Sequence, residues 1–482
     1  MFKRFVLALM LVGFAGFKVT AADTPLQQIA DALDVSTTKT FQFTANGKMW
    51  AVGEASSPMA ANPRSYIKSL TRVYDFTAGS MRDELVRSQG EAPPSGGDYQ
   101  PIEGDQRLVS LVSGDLAWYE AGKSITPAPE EANERAHALV ISPHGLMRAA
   151  FANNAAVSKR TVEGRQMIVV SFTVQGKHKV VAYVNDQNAI EKVESSYGHP
   201  VVGDMKVVTY YGPYRDFGGI KFPAKIIQYQ DGLPALDVTV TAVRANPTVN
   251  IEVPSNVRSE PVTVKSEKVA DGVWFIGGGS HNSALIEMKD YLIVVEAPLG
   301  DLRSAAVIGE VKKLVANKPI KYLVNTHHHI DHSGGVRAYA AEGVTIVTHE
   351  LNRPYFEKAL LNTWNLSPDR LAKSKKRPLF QTMGDNMVLT DGARSVELYQ
   401  IIGSGHHDGL VMAYLRKEKL LIEADAFSPF GVPKTPNPYS VNLEANVRRL
   451  NLDVDKILPI HGNIVPYVEL MKAIGKGPAP AK

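Results

Sequence analysis

Asn325-Thr326-His327-His328-His329-Ile330-Asp331-His332-Ser333-Gly334-Gly335 packs four potential metal ligands and a glycine pair into eleven residues. His327 and His329 are two apart, so on an extended segment they project to the same side and can hold one ion between them. Asp331 and His332 are adjacent and must diverge, which suits a second ion a few Å away better than crowding onto the first. Two metals are implied. The preceding Lys321-Tyr322-Leu323-Val324 is β-branched and aromatic enough for a strand, so the histidines belong on the loop leaving its carboxyl end. Open α/β sheets carry their sites there.

The pattern His-x-His-x-Asp-His fits this run in one register, with His328 as a spacer. In this the chain resembles the metallo-β-lactamase superfamily. The resemblance implies that the remaining ligands come from three later strand ends, and a candidate stands at each. His406 lies in Gly403-Ser404-Gly405-His406-His407-Asp408-Gly409, Asp425 closes Leu420-Leu421-Ile422-Glu423-Ala424-Asp425, and His461 closes Ile457-Leu458-Pro459-Ile460-His461. His406 is preferred to His407 because the family's ligand precedes a short x-Asp/Gly step. A lone histidine is ordinarily a surface or satisfied core residue. Here, however, nine of thirteen fall at or after His281, and the five assigned as ligands all follow predicted strands.

The resemblance assigns His327, His329 and His406 to a first metal and Asp331, His332 and His461 to a second, with Asp425 bridging. Neutral imidazoles and carboxylates suit zinc first, with manganese or iron as alternatives. Two zinc ions per chain would acidify a shared water to a pKa of roughly 7. Asp331 is the candidate catalytic residue, orienting that water and passing on its proton. The implied reaction is hydrolysis of an ester, thioester, lactone or amide. No Gly-x-Ser-x-Gly elbow argues for a protein nucleophile.

At 482 residues the chain exceeds one ordinary core, so two domains are expected. A hydrophobic fraction of 44% and a charged fraction of 21% are those of a soluble globular protein. The net charge of +4 comes without a basic run, which argues against a nucleic-acid partner and for a small-molecule substrate. The absence of cysteine excludes disulfides, thiolate ligands and cysteine nucleophiles. β-Lactamase subclasses that hold the second zinc with a cysteine therefore have no match here, and a bridging Asp425 resembles glyoxalase-II-like and lactonase-like hydrolases. β-Lactam hydrolysis remains the alternative, because the amino terminus reads as an export signal.

That signal consists of Lys3 and Arg4, an apolar run over 5–17 and small residues at Val19-Thr20-Ala21, with cleavage expected after Ala21 or Ala22. The run is about thirteen residues where a membrane span needs about twenty. A periplasmic or secreted protein without stable membrane insertion is expected. The oligomeric state is not encoded in any pattern.

The fold class expected is α+β: a carboxy-terminal four-layer αβ/βα sandwich of the superfamily type preceded by a β-rich antiparallel domain. Boundaries fall at 1–22 for the signal peptide, 23–245 for the β-rich domain, 246–262 for a Pro-punctuated linker, 263–474 for the hydrolase domain and 475–482 for a tail. In the β-rich part, alternation at 170–174 and 236–242 marks strands with one wet face. Helices are expected near 26–33 and 142–154, where Ser142-Pro143 supplies an N-cap and N1 pair. This half weakly resembles the half-barrel of periplasmic lipoprotein carriers. That likeness supports a further reading, a non-catalytic binding or carrier protein with a structural metal site. Ala92-Pro93-Pro94-Ser95-Gly96-Gly97 reads as an exposed, mobile loop. Around the metal site, Glu296 stands where the family usually has aspartate, His281 follows a Gly277-Gly278-Gly279 run, and Phe427, Phe430 and Tyr439 are candidates for a pocket wall.

Overall fold

The computed structural model describes residues 24–259 and 262–477; the signal peptide expected at 1–22 and residues 478–482 of the tail lie outside them. The amino-terminal half is built on a 13-stranded antiparallel sheet, with a separate two-stranded ribbon of Tyr214–Asp216 and Lys221–Pro223. Its first long strand, Thr40–Trp50, pairs with Arg64–Asp75 on one side and with Leu233–Ala245 on the other. The early meander and the late meander are thereby joined edge to edge. Alternating residues such as Phe41, Phe43 and Ala45 are buried, and their partners Gln42 and Thr44 are not, as a half-buried strand requires. Two helices, Ala132–Ile141 and Pro143–Ala152, pack on the buried face with Leu26 and Ile29 of the helix Pro25–Asp31.

The second of these helices begins as its sequence dictates. Ser142 Oγ accepts from Gly145 N, and Pro143 fills the first turn. The first, Ala132–Ile141, has no counterpart in the sequence reading. Its buried Arg135 donates to the carbonyls of Leu111 and Trp118, so a cation sits where a helical pattern would call for an apolar residue. A hollow of about 530 Å³ opens on this domain, but Glu163, Arg165, Glu191 and Lys192 line it together with Met167, Tyr183 and Ile227. It is not a plain apolar groove.

The carboxy-terminal half has four layers. A seven-stranded sheet runs from Lys265–Ala270 to Leu379–Met383, and a six-stranded sheet from Asn386–Thr390 to Val465–Pro466. One apolar core lies between the sheets, a second under the helices Asp301–Leu314 and Val336–Glu342, and a third under Pro438–Arg449 and Tyr467–Ala473. Central strands are buried on both faces, which is why Leu292–Val295 and residues 420–422 read as unbroken aliphatic runs. Within 246–262, the short helix Ser255–Ser259 buries Val257 against Leu111 and Trp118. The connection is thus partly packed onto the first domain. Among the described residues no helix is long and apolar enough to cross a membrane.

One sequence expectation is overturned. The loop 92–97 is not exposed throughout: Gly96 and Gly97 are buried. Gly96 N donates to Gly405 O, and Gly97 N to Glu54 O. The segment is short of side chains because it lies between two domains.

Candidate metal centre

Strand order brings the ligand loops to one edge of the sandwich. In the first sheet Leu292–Val295 and Ile320–Val324 run parallel and deliver Glu296 and the 325–332 run. In the second, Leu420–Glu423 and Lys456–Pro459 run parallel and deliver Asp425 and His461. The glycine pair after His332 serves close packing. A Cβ on Gly334 would meet Leu299 O at 1.8 Å, and one on Gly335 would meet Ser304 Oγ at 1.8 Å. Glu296 and Asp425 both adopt left-handed backbone, with φ of 76° and 60°, a conformation that costs a non-glycine residue about 1–3 kcal/mol and clusters at functional positions.

The seven residues expected as ligands come together as two adjoining groups. His327, His329 and His406 form one, with His327 Nε2 and His406 Nε2 3.1 Å apart. Asp331, His332 and His461 form the other, joined by His281, and His332 Nε2 lies 3.1 Å from His461 Nε2. Asp425 stands between them. Its Oδ2 is 2.6 Å from His332 Nε2, 3.5 Å from His327 Nε2 and 3.6 Å from His406 Nε2, while Oδ1 is 3.0 Å from His461 Nε2.

Hydrogen bonds fix which ring nitrogens face this centre. Thr326 Oγ1 donates to Glu296 Oε2 at 2.5 Å, so its oxygen is left to accept from His327 Nδ1 at 2.9 Å. His327 therefore turns the lone pair of Nε2 inward. His332 donates Nδ1–H to Glu296 Oε2 at 3.1 Å and likewise turns Nε2 inward. Ala55 O can only accept, so His329 Nε2 carries the proton it donates at 2.8 Å, leaving Nδ1 for the centre. The same logic separates His406 from its neighbour. His407 Nδ1 accepts from Gly409 N at 2.9 Å, so its Nε2–H donates to His328 Nδ1 at 2.6 Å. His407 and His328 satisfy each other, and His406 is the residue free to bind.

Glu296 is fully buried and accepts three hydrogen bonds, from Asn325, Thr326 and His332. It supports the site despite its extra methylene. His281 does too: Ser280 Oγ donates to its Nδ1 at 2.7 Å, and its Nε2–H reaches Asp331 Oδ2 at 3.1 Å. Of the three aromatics proposed for a wall, Phe427 belongs to the core and Phe430 is 78% exposed. Tyr439 stands edge-on to His406, with ring centroids 5.6 Å apart.

The electrostatics favour bound cations. Burial, then neighbouring imidazoles, holds His327 and His329 well below the usual imidazole range, so both are neutral. Burial opposes charge on His332 as well, yet the carboxylates of Asp425 and Asp331 outweigh it and raise that imidazole well above its usual value. The cluster calls for positive charge at that point. Asp331 Oδ1 is shielded from water without a hydrogen bond, a costly state for a carboxylate oxygen, and Asp425 Oδ2 is compensated chiefly by His332 Nε2 at 2.6 Å. Imidazole nitrogens and carboxylate oxygens turned toward one point are a donor set suited to zinc-like ions, and the residues present fit such a centre.

Sequence reasoning missed the contribution of the amino-terminal domain. Glu54, Ala55 and Gly97 touch the ligand loop, from positions 274 residues or more away in the two hydrogen-bonded contacts. The signal available was the glycine pair 96–97, which marks a close approach as readily as a turn.

The family model described as the metallo-β-lactamase superfamily matches residues 276–461. No curated protein matches the chain. Solved structures that are similar include the metallo-β-lactamase FIM-1 from Pseudomonas aeruginosa in its mono-zinc form, at 18% identity and a TM-score of 0.36, covering 45% of this chain and 96% of that one. Metallo-β-lactamases from Pontibacter korlensis (18% identity, TM-score 0.35, 44% and 98% covered) and Hirschia baltica (18%, 0.35, 45% and 100%) are similar to the same extent.

Proposed function

We propose that the protein is a dinuclear zinc hydrolase, a reading supported by the match of residues 276–461 to the metallo-β-lactamase superfamily. Its substrate is a small molecule with an ester, thioester, lactone or amide bond. The observation that carries the reading is Asp425, whose Oδ2 lies within 3.6 Å of His327 and His406 of the first group and of His332 of the second, while Oδ1 is 3.0 Å from His461 of the second. One carboxylate that spans two ligand groups fits a bridged pair of ions.

When bound, two divalent cations would supply an acidified water and polarise the scissile carbonyl. The chain's own residues do the rest. His327 and His329 on one side and His332 on the other hold fixed tautomers, so their lone pairs need no reorganisation. Asp331 Oδ1 is the free acceptor beside them. With Oδ2 held by His281, that atom takes the proton of the attacking water and returns it to the leaving group. Burial of the histidines excludes bulk water from their side of the cleft. The export signal read at residues 1–22 supports a periplasmic location.

The test is turnover of a panel of lactones, thioesters, esters and β-lactams by purified, zinc-loaded protein, together with His327→Ala. Turnover that a chelator abolishes and His327→Ala lacks supports the reading. Equal activity in the variant removes it. Turnover of β-lactams alone moves the substrate to the alternative class.

A further inference from the structure

The amino-terminal domain does more than pack beside the sandwich. Two of its loops enter the metal centre: 51–63, between the strands Thr40–Trp50 and Arg64–Asp75, and 90–105, which follows Ser80–Gln89. Ala55 O accepts the Nε2–H of His329 at 2.8 Å. The neighbouring Glu54, only 7% exposed, accepts Ile330 N–H on Oε1 at 3.1 Å. Its other oxygen, Oε2, lies 3.6 Å from His329 Nδ1. Consecutive residues of one domain thus hold both the side chain and the following main-chain amide of a ligand in the other.

Gly97 closes this arrangement. A Cβ there would stand 2.2 Å from Glu54 Oε2 and 2.8 Å from His329 Nδ1, so the position has no room for a side chain between the carboxylate and the ligand nitrogen. The second ligand loop is held by the same two segments. Gly96 N donates to Gly405 O, Asp408 N donates to Ser56 O at 2.7 Å, and Tyr439 OH reaches Gly96 O at 3.4 Å. His406 lies between those contacts.

We infer that the amino-terminal domain completes the first metal site, with Ala55 setting the tautomer of His329 and Glu54 acting as a positioning residue for it. This rests on the metal-site reading above. Packing alone accounts poorly for Glu54, because a carboxylate removed from water is costly unless charge or hydrogen bonds compensate it. Here it receives one main-chain N–H on Oε1, and Oε2 faces the lone-pair side of His329 Nδ1, which offers no proton to it. Partners of this kind around a metal ligand change affinity by about 10- to 100-fold when removed. The geometry also explains why Glu54, Ala55, Gly96 and Gly97 are buried at that edge while residues 56–62 and 92–95 beside them are not.

The experiment uses full-length protein, cobalt(II) as the probe ion, and the variants Gly97→Ala and Glu54→Gln. Cobalt stoichiometry, affinity and visible d–d spectrum are read, with circular dichroism and thermal unfolding of each variant as the folding control. Folded Gly97→Ala should bind one of its two cobalt ions at least tenfold more weakly, with an altered spectrum. Glu54→Gln keeps an acceptor for Ile330 N–H but replaces the carboxyl group by an amide, and should show a smaller shift in the same direction. Wild-type affinity and spectrum in both variants would overturn the inference while leaving the metal reading intact. Wild-type protein that takes up no cobalt overturns both.

Discussion

Replacing Glu296 by glutamine tests the support of the second ligand group with a change of one atom. Glu296 Oε1 accepts from Asn325 Nδ2 at 2.8 Å, and Oε2 accepts from Thr326 Oγ1 at 2.5 Å and His332 Nδ1 at 3.1 Å. A glutamine has a single carbonyl. If its oxygen takes the Oε2 place, its NH2 faces the NH2 of Asn325, which is itself held by His332 O at 3.0 Å. If the amide is reversed, the NH2 meets Thr326 and His332, and His332 relieves the clash only by moving its proton to Nε2, the nitrogen that faces Asp425. Either way a fully buried donor is left unpaired, at about 1–3 kcal/mol, and hydrogen bonds to a charged acceptor are lost. The expected result is a lower thermal midpoint and an affinity for the second zinc reduced about 10- to 100-fold, or ~1.4–2.7 kcal/mol. Isothermal titration with zinc against a competing chelator measures it, and kcat/KM should fall in parallel. Zinc affinity and midpoint within error of wild type would refute the assignment of Glu296 as the anchor of Thr326 and His332.

Other consequences follow from the same geometry. His327→Ala should abolish hydrolysis while the amino-terminal domain keeps its circular dichroism spectrum, since its core shares no residue with that loop. Chelation should remove activity and lower the thermal midpoint, because ions that bind only the folded state stabilise it by mass action, and added zinc should restore both. His281→Ala should lower kcat more than it changes zinc content, as its bond to Asp331 Oδ2 orients the proton acceptor. In the amino-terminal domain, burial and the nearby His178 charge hold His137 at about 3, burial and Arg148 hold His144 at about 4, and burial holds His199 at about 4. Their unfolded value is about 6.5, so between pH 6.5 and 4 the unfolded chain binds more protons. Stability present above pH 6.5 is lost as pH falls through that window. Urea midpoints followed at pH 7 and pH 4.5 should show it, and equal midpoints would contradict it.

Much of the carboxy-terminal half was legible because its chemistry is local. His327, His329, Asp331 and His332 sit within six residues, and each later ligand follows a largely apolar run, so strand ends and site lie close together in the sequence. Local pattern could not reach contacts made across the chain. Glu54 and Ala55 lie in a turn without metal-ligand spacing, and only the fold sets them against His329 and Ile330. The proline- and glycine-rich 92–97 segment looked like a free loop because a buried backbone-to-backbone interface uses the same small residues. The helix Ala132–Ile141 was hidden for a related reason: Arg135 and Glu134 point inward to partners on the sheet, Arg135 to main-chain carbonyls and Glu134 to Gln230. His281 was visible as a residue near the glycine run, but its role depended on where Asp331 would fall.

The measurement closest to the central claim is the zinc content per chain of purified wild-type protein and of Asp425→Asn, by elemental analysis after dialysis against a low concentration of zinc. Near two ions in the wild type and fewer in the variant is the result expected if Asp425 joins two ligand groups. A wild type that retains none, or a variant that holds as many as the wild type with unchanged affinity, would contradict it.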